Sequence, residues 1–336
     1  QWNLSNGDAT LCPVRLVGLE HWHSVTPKSP TPWPQPARPA STTGGTTGGT
    51  GGGTGTGSGG FAARLFVATT GSDGNSGLSK TLAKATIAGA LAAANPGDTI
   101  SVGAGTYTGN ITIGAGGTSG GGYITIRSET PRAAIISGTG SGSQSAVQIN
   151  AGYIRLQDLT ITGTSSSGVR YGVDVEASNV EVKNCHIYQI CQFRTEGTSF
   201  QGGAGINFDQ PSYSNISIDG NEIHDIGPGV GVEQLVHGIY CGVAGTNFRI
   251  TNNLIYDCED FGVHEYPTAS ASGIEVVNNT ISGCGRGILQ GSNGVVRNNI
   301  VYNCLSSNYD IRESGNQVSN NFSGGGGNTT GITGVA

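Results

Sequence analysis

The sequence contains no methionine, few charges and only four lysines, Lys28, Lys80, Lys84 and Lys183. Charged residues make up 11% of the 336, against roughly 25% in ordinary globular proteins. The net charge is −6 and the basic residues are scattered, which argues against a nucleic-acid partner. No apolar run approaches the ~20 residues of a membrane span, since the longest, IAGALAAA at 87–94, is far too short. Lacking methionine and beginning at Gln1, the sequence reads as a mature, processed and secreted chain.

Glycine is abundant instead, 59 of 336, well above the usual ~7%. A surface built from Gly, Ser, Thr and Asn suits an extracellular all-β protein. It also tolerates close contact with neighbours, because charge is what normally keeps proteins apart.

Residues 1–40 form a proline-rich arm whose TPKSPTPWPQP run (26–36) has to be extended. Trp2, Leu11, Val14, Leu16, Leu19, Trp22 and Trp33 make the arm too apolar for a free tail, yet they are too few to build a core. A Gly/Thr-rich linker follows at 41–60, and the composition changes at Phe61. ARLFVATT reads as a first strand. The Ala-rich stretch at about 82–95 reads as a short helix ended by PGD.

From there the chain repeats. YGVDVEA (171–177), AGINFDQ (204–210), HGIYCGV (237–243), FGVHEYP (261–267), RGILQGS (286–292) and YDIRES (309–314) align, with starts 33, 33, 24, 25 and 23 residues apart. A second column holds Asn184, Gly220, Asn252, Asn278, Asn298 and Asn320. A period of 23–25 residues with two or three short strands describes one coil of a parallel β-solenoid. The Asn column fits a sharp, stacked turn, because Asn tolerates left-handed backbone and its amide can bond along the stack.

The opening of this domain, VATTGSDGNSG (67–77), the Ala-rich helix and NPGDTISVGAGTY (95–107), resembles that of secreted pectate-lyase-like right-handed parallel β-helix proteins. The resemblance covers about residues 61–325 and implies an all-β, right-handed parallel β-helix (61–336) whose short N-terminal α-helix caps the solenoid. It is specific for fold and weak for function, since that superfamily includes lyases, hydrolases, epimerases, tailspikes and adhesins.

There are seven cysteines. Cys258, Cys284 and Cys304 share a column with Ile190 and Ile226, which points them into the core as buried thiols. Cys12 has no local partner on the arm. A disulfide to a solenoid cysteine, of the same or a neighbouring chain, is one option for it, and Cys191 is the candidate. His21 and His23 (HWH) have metal-compatible spacing, although on an arm.

If Val173, Ile206, Ile239, Val263, Ile288 and Ile311 point inward, strand alternation points Asp174, Asn207, Tyr240, His264, Leu289 and Arg312 outward. A second outward column holds Glu176, Asp209, Gly242 and Tyr266. Such a face carries substrate in the enzymes this fold resembles. For β-elimination on a uronate polymer, Asp174, Glu176 and Asp209 could hold Ca²⁺. His264, Tyr240 or Tyr266 could take the proton, with Arg312 assisting. For hydrolysis, Asp174 and Asp209 would flank the bond with roughly 8 Å between backbones. HGIYCG (237–242) faintly resembles the His-Gly motif of polygalacturonases, though their paired aspartates and Arg-x-Lys motif are absent. By itself His237, before a glycine, suits a turn. Glu265 falls inward by alternation, but the approach of Pro267 suggests that its strand has already ended.

The sequence is read first as a secreted structural β-helix, assembling head-to-tail into a filament through its arm. A polysaccharide-active lyase or hydrolase is the alternative, and a carbohydrate-binding or adhesive module a third reading. The expected partners are other copies of the chain and polysaccharide, with no cofactor beyond calcium.

Overall fold

In the computed structural model of the chain, the described residues are 64–163, 168–192, 202–209, 213–231, 235–242, 246–266, 272–312 and 314–330. The arm, the linker and Cys12 lie outside them, and with them the filament and disulfide expectations.

The described residues form three stacked parallel sheets, one of ten strands and two of nine. Each coil contributes one strand to each sheet. In the coil that begins at residue 180, Val180–Lys183 joins the first sheet, His186–Ile190 the second and Gly203–Phe208 the third. Each strand pairs with its counterpart one coil on. This is an all-β parallel β-helix, as the repeat requires.

The columns explain the fold from the sequence. Val180, Ile216, Phe248 and Ile274 are in register and buried. So are Ile187, Ile223, Ile255 and Ile281. Each such side chain contributes about 1.5–3 kcal/mol by leaving water. Cys258, Cys284 and Cys304 lie buried in the core, with Ile226 directly in register with Cys258.

At the first turn two neighbouring asparagine columns divide the work. Asn184, Asn252, Asn278, Asn298 and Asn320 take left-handed φ of 53–59°, as expected. The continuous amide ladder runs through the next column. Asn221, Asn253, Asn279, Asn299 and Asn321 are buried, and each Oδ1 accepts the backbone N–H one coil earlier at 2.9–3.0 Å. A buried amide that closes successive coils satisfies groups that could not otherwise reach water.

Two expectations need correction here. The cap is shorter than 82–95, with the α-helix spanning only Ile87–Leu91. Asp73 accepts from the backbone of Ala85 and Thr86, which holds the preceding residues extended. The Thr86 hydroxyl then caps the helix through Gly89 N–H. Ile87 and Ala90 are its buried face.

The last repeat is displaced by two residues. Ile288 pairs with Tyr309 rather than Ile311, and Leu289 with Asp310 rather than Arg312. Tyr309 fills the core position, and its hydroxyl reaches the Asn299 and Phe322 carbonyls. Asn308 stands where earlier coils have glycine and bonds Ser323 and the Gly324 carbonyl.

Candidate functional site

The third sheet presents one column in register through Asp174, Asn207, Tyr240, His264, Leu289 and Asp310. Neighbouring strands lie ~4.8 Å apart, so these side chains form a single face. A cleft of about 460 Å³ opens on it, and its polar lining is Arg170, Tyr171, Asp209, His237, Tyr240, His264, Tyr266 and Arg312. Gly202 and Leu235, from the two long turns behind the 33-residue periods, also line it. The structure thus brings together Asp209, Tyr240, His264, Tyr266 and Arg312. Asp174 sits beside the cleft, buried in the same face.

His237 does not belong to a turn. It lies within the strand Val236–Cys241 and is buried. Its ring stacks on Tyr240 with centroids 5.2 Å apart, and its Nε2 is 3.1 Å from His264 Nδ1. Behind it, Asp260 Oδ2 lies 4.0 Å from His237 Nδ1, and Arg286 Nε lies 3.4 Å from Asp260. Burial, then His264 and Arg286, hold His237 well below the usual imidazole range. Burial, with Arg312 and Arg286, lowers His264 to about 4. Both rings are therefore neutral at neutral pH.

The sequence reading missed His237, Asp260 and Arg286. A signal was present, because Tyr171, Ala204, His237, Phe261 and Arg286 open the first five of the six aligned segments. A polar residue at that position in two coils marks a second functional column.

Arg170 donates to the Gly202 carbonyl and lies 4.7 Å from the Tyr171 ring centroid. Arg312 is held by Asp310 at 2.6 and 2.9 Å. Burial raises Tyr240, with Asp209 adding to the effect. Burial also raises Asp174, whose two oxygens accept from Asn207 and Ser145.

The expected calcium set does not gather. Glu176 accepts from Tyr213, and the carboxylates of Asp174, Glu176 and Asp209 do not come within 4.8 Å of one another as a group. Glu265 corrects the other expectation. The strand Phe261–Glu265 runs to its end, and Glu265 points into the core, 1% exposed. There its Oε2 accepts from Gln290 Nε2 and Gly291 N–H. Burial raises it to about 7.

The family model for the right-handed β-helix region matches residues 119–289. The chain belongs to that family, and its fold is the right-handed, pectate-lyase-like parallel β-helix. Among solved structures it is similar to the pectate lyase Pel9A, at 16% identity over 81% of this chain and 78% of that one, with a TM-score of 0.62. It is also similar to the GH136 lacto-N-biosidase from Eubacterium ramulus, at 15% identity over 78% of this chain and 56% of that one, with a TM-score of 0.57. No curated protein matches the sequence. Among the described residues, no helix is long and apolar enough to cross a membrane.

Proposed function

We propose that the chain is a polysaccharide-active enzyme that cuts a uronate polymer by β-elimination in the cleft on the third sheet. The observation that carries this is the neutral His237–His264 pair, set between Arg170 and Arg312. Elimination needs the sugar carboxylate neutralised, a base for the ring proton beside it, and an acid for the departing oxygen.

Each role has a residue. Arg312, near enough to His264 to act on its ring, pairs with the carboxylate of the reacting sugar, and Arg170, five strands away in the same sheet, with that of another sugar along the polymer. Asp260 favours a proton on His237 Nδ1, so His237 Nε2 accepts from His264 Nδ1. That leaves a lone pair on His264 Nε2, and this atom takes the ring proton. The bond from the sugar to the glycosidic oxygen then breaks as a carbon–carbon double bond forms. The Tyr240 hydroxyl, kept protonated by its burial, donates to the leaving oxygen.

The test is incubation with uronate polymers, read by the ultraviolet absorbance of a double bond conjugated to the carboxylate. Loss of that signal in His264→Ala and Tyr240→Phe is expected. Chain cleavage with new reducing ends and no unsaturation would overturn elimination in favour of hydrolysis. A specific feature supports that second reading: Asp174, with a raised pKa, lies one strand from Asp209 and two residues along. Two carboxyls on adjacent strands, one of them held protonated more readily by burial, are what acid–base glycoside cleavage uses.

Secretion and the head-to-tail filament belong to the same proposal at a finer level. Support for the filament comes from Leu305 and Phe322, exposed in the last described coils, whose final strands have no further strand beside them among the described residues. A β-edge of this kind is a docking template. Electron microscopy of the full chain would show filaments under this reading, and only single particles otherwise.

A further inference from the structure

The second sheet carries its own polar cluster, away from the cleft on the third. Glu222 pairs in register with His186, and His224 with Tyr188. Strand alternation places Glu222 and His224 on the same outward face. Nε2 of His186 lies 2.7 Å from Nε2 of His224. The ligand atoms of His186, Glu222 and His224 all lie within 4.8 Å of one another. All three residues are half-buried.

Further contacts fix these groups. His224 Nδ1 meets Asp225 Oδ2 at 2.8 Å. The His224 ring stacks between Tyr188 and Tyr256, with centroids 5.4 and 4.5 Å away and planes within 9°. His186 stacks on Tyr188 at 4.6 Å. Glu222 Oε1 accepts from the Tyr256 hydroxyl at 3.1 Å, and its Oε2 pairs with Arg132 at 2.6 Å.

We propose that His186, Glu222 and His224 bind a divalent transition-metal ion of the zinc type. Two imidazoles and a carboxylate are the donor set such ions prefer, with water completing the tetrahedron. The carboxylate of Asp225 on His224 Nδ1 is the feature that singles out this cluster. It fixes the tautomer with the proton on Nδ1 and leaves Nε2 as a lone pair, as the outer partner of a metal-bound histidine does. The short Nε2–Nε2 contact then requires His186 to donate from Nε2. On binding, that proton is displaced, His186 carries its proton on Nδ1, and the two nitrogens separate by about 0.6 Å to span an ion at about 2.0–2.1 Å from each. Glu222 keeps Arg132 on one oxygen, since a carboxylate has about four acceptor positions. The ion ties two successive coils together.

Isothermal titration of the chelator-treated full chain with Zn²⁺ tests this. One saturable equivalent is expected, absent in the His186→Gln/His224→Gln double variant and retained in His21→Ala/His23→Ala. Asp225→Asn keeps every ligand and is expected to weaken the site roughly 10–100-fold, which preserves the test if the double variant does not fold. Four results would overturn the proposal. They are no saturable binding, an equivalent that survives in the double variant, an equivalent lost with the arm histidines, or an affinity unmoved by Asp225→Asn.

Discussion

His264 Nδ1 and His237 Nε2 lie 3.1 Å apart on adjacent strands, buried beneath the cleft. Residues 27 apart in sequence are joined by the register of two coils. On the proposed mechanism, His264→Ala lowers kcat by about 10²–10⁴-fold, the usual worth of a general base. His237→Gln acts as a positioning change. It is expected to lower kcat with little change in KM and to alter the acid limb of the pH–rate profile, which steady-state kinetics across pH would show.

Arg312→Ala should act on substrate capture. A charge-assisted hydrogen bond is worth about 1.5–3 kcal/mol, so kcat/KM for a uronate polymer is expected to fall by roughly 10–150-fold. A neutral or fully esterified polymer should show no such dependence. Equal losses on both substrates would remove Arg312 from carboxylate recognition.

Buried titrating groups pull stability in opposite directions with pH. Glu265 is raised to about 7, so the folded state holds its proton more tightly than the unfolded one. Its favourable contribution is complete below about 4.5 and is lost as pH rises through 7. His264, lowered to about 4, behaves in reverse, its contribution being present above about 6.5 and lost as pH falls toward 4. The two largely offset in the native chain. Glu265→Gln removes the first of these contributions and leaves the second. Relative to the native chain, the stability of that variant should rise by about 1.4 kcal/mol per pH unit between about 4.5 and 7. Urea denaturation at several pH values measures this, and a pH-independent difference would count against it.

The amide ladder should be costly to break. Asn279 Oδ1 accepts from the backbone and side chain of Asn253, and its Nδ2 donates to the Ile250 carbonyl. Asn279→Ala strands these buried groups, at about 1–3 kcal/mol for each left unpaired. Gly238→Ala tests the neighbouring constraint. A Cβ there would sit 2.6 Å from the Gly262 carbonyl oxygen and 2.7 Å from Ile255 Cγ2. Overpacking of this kind costs about 1–3 kcal/mol. Chemical denaturation of each variant checks both.

The sequence by itself determined the solenoid. A coil that stacks on its own copies must present the same residue type at the same turn and the same core position. The Asn column at 184, 252, 278, 298 and 320, the inward Val and Ile positions and the Cys258–Cys284–Cys304 column were therefore legible as repeats, whereas the buried amide ladder one residue on was not read. So was most of the outward face, since alternation follows once the inward column is known. Alternation also placed Glu265 correctly in the core, against the expectation that Pro267 had already ended its strand. Only the tertiary structure decided where the repeat is broken. The last coil slips by two residues because Tyr309 fills the core and Asn308 finds polar partners in the next turn. A pattern match, which rewards Ile311 for resembling Ile288, has no term for either contact. His237, Asp260 and Arg286 came together for the same reason. Their proximity depends on coil register and side-chain reach, whereas a histidine before glycine read alone is only a turn signal. Likewise, His186 and His224 are 38 residues apart, and nothing local in the sequence says that their rings meet.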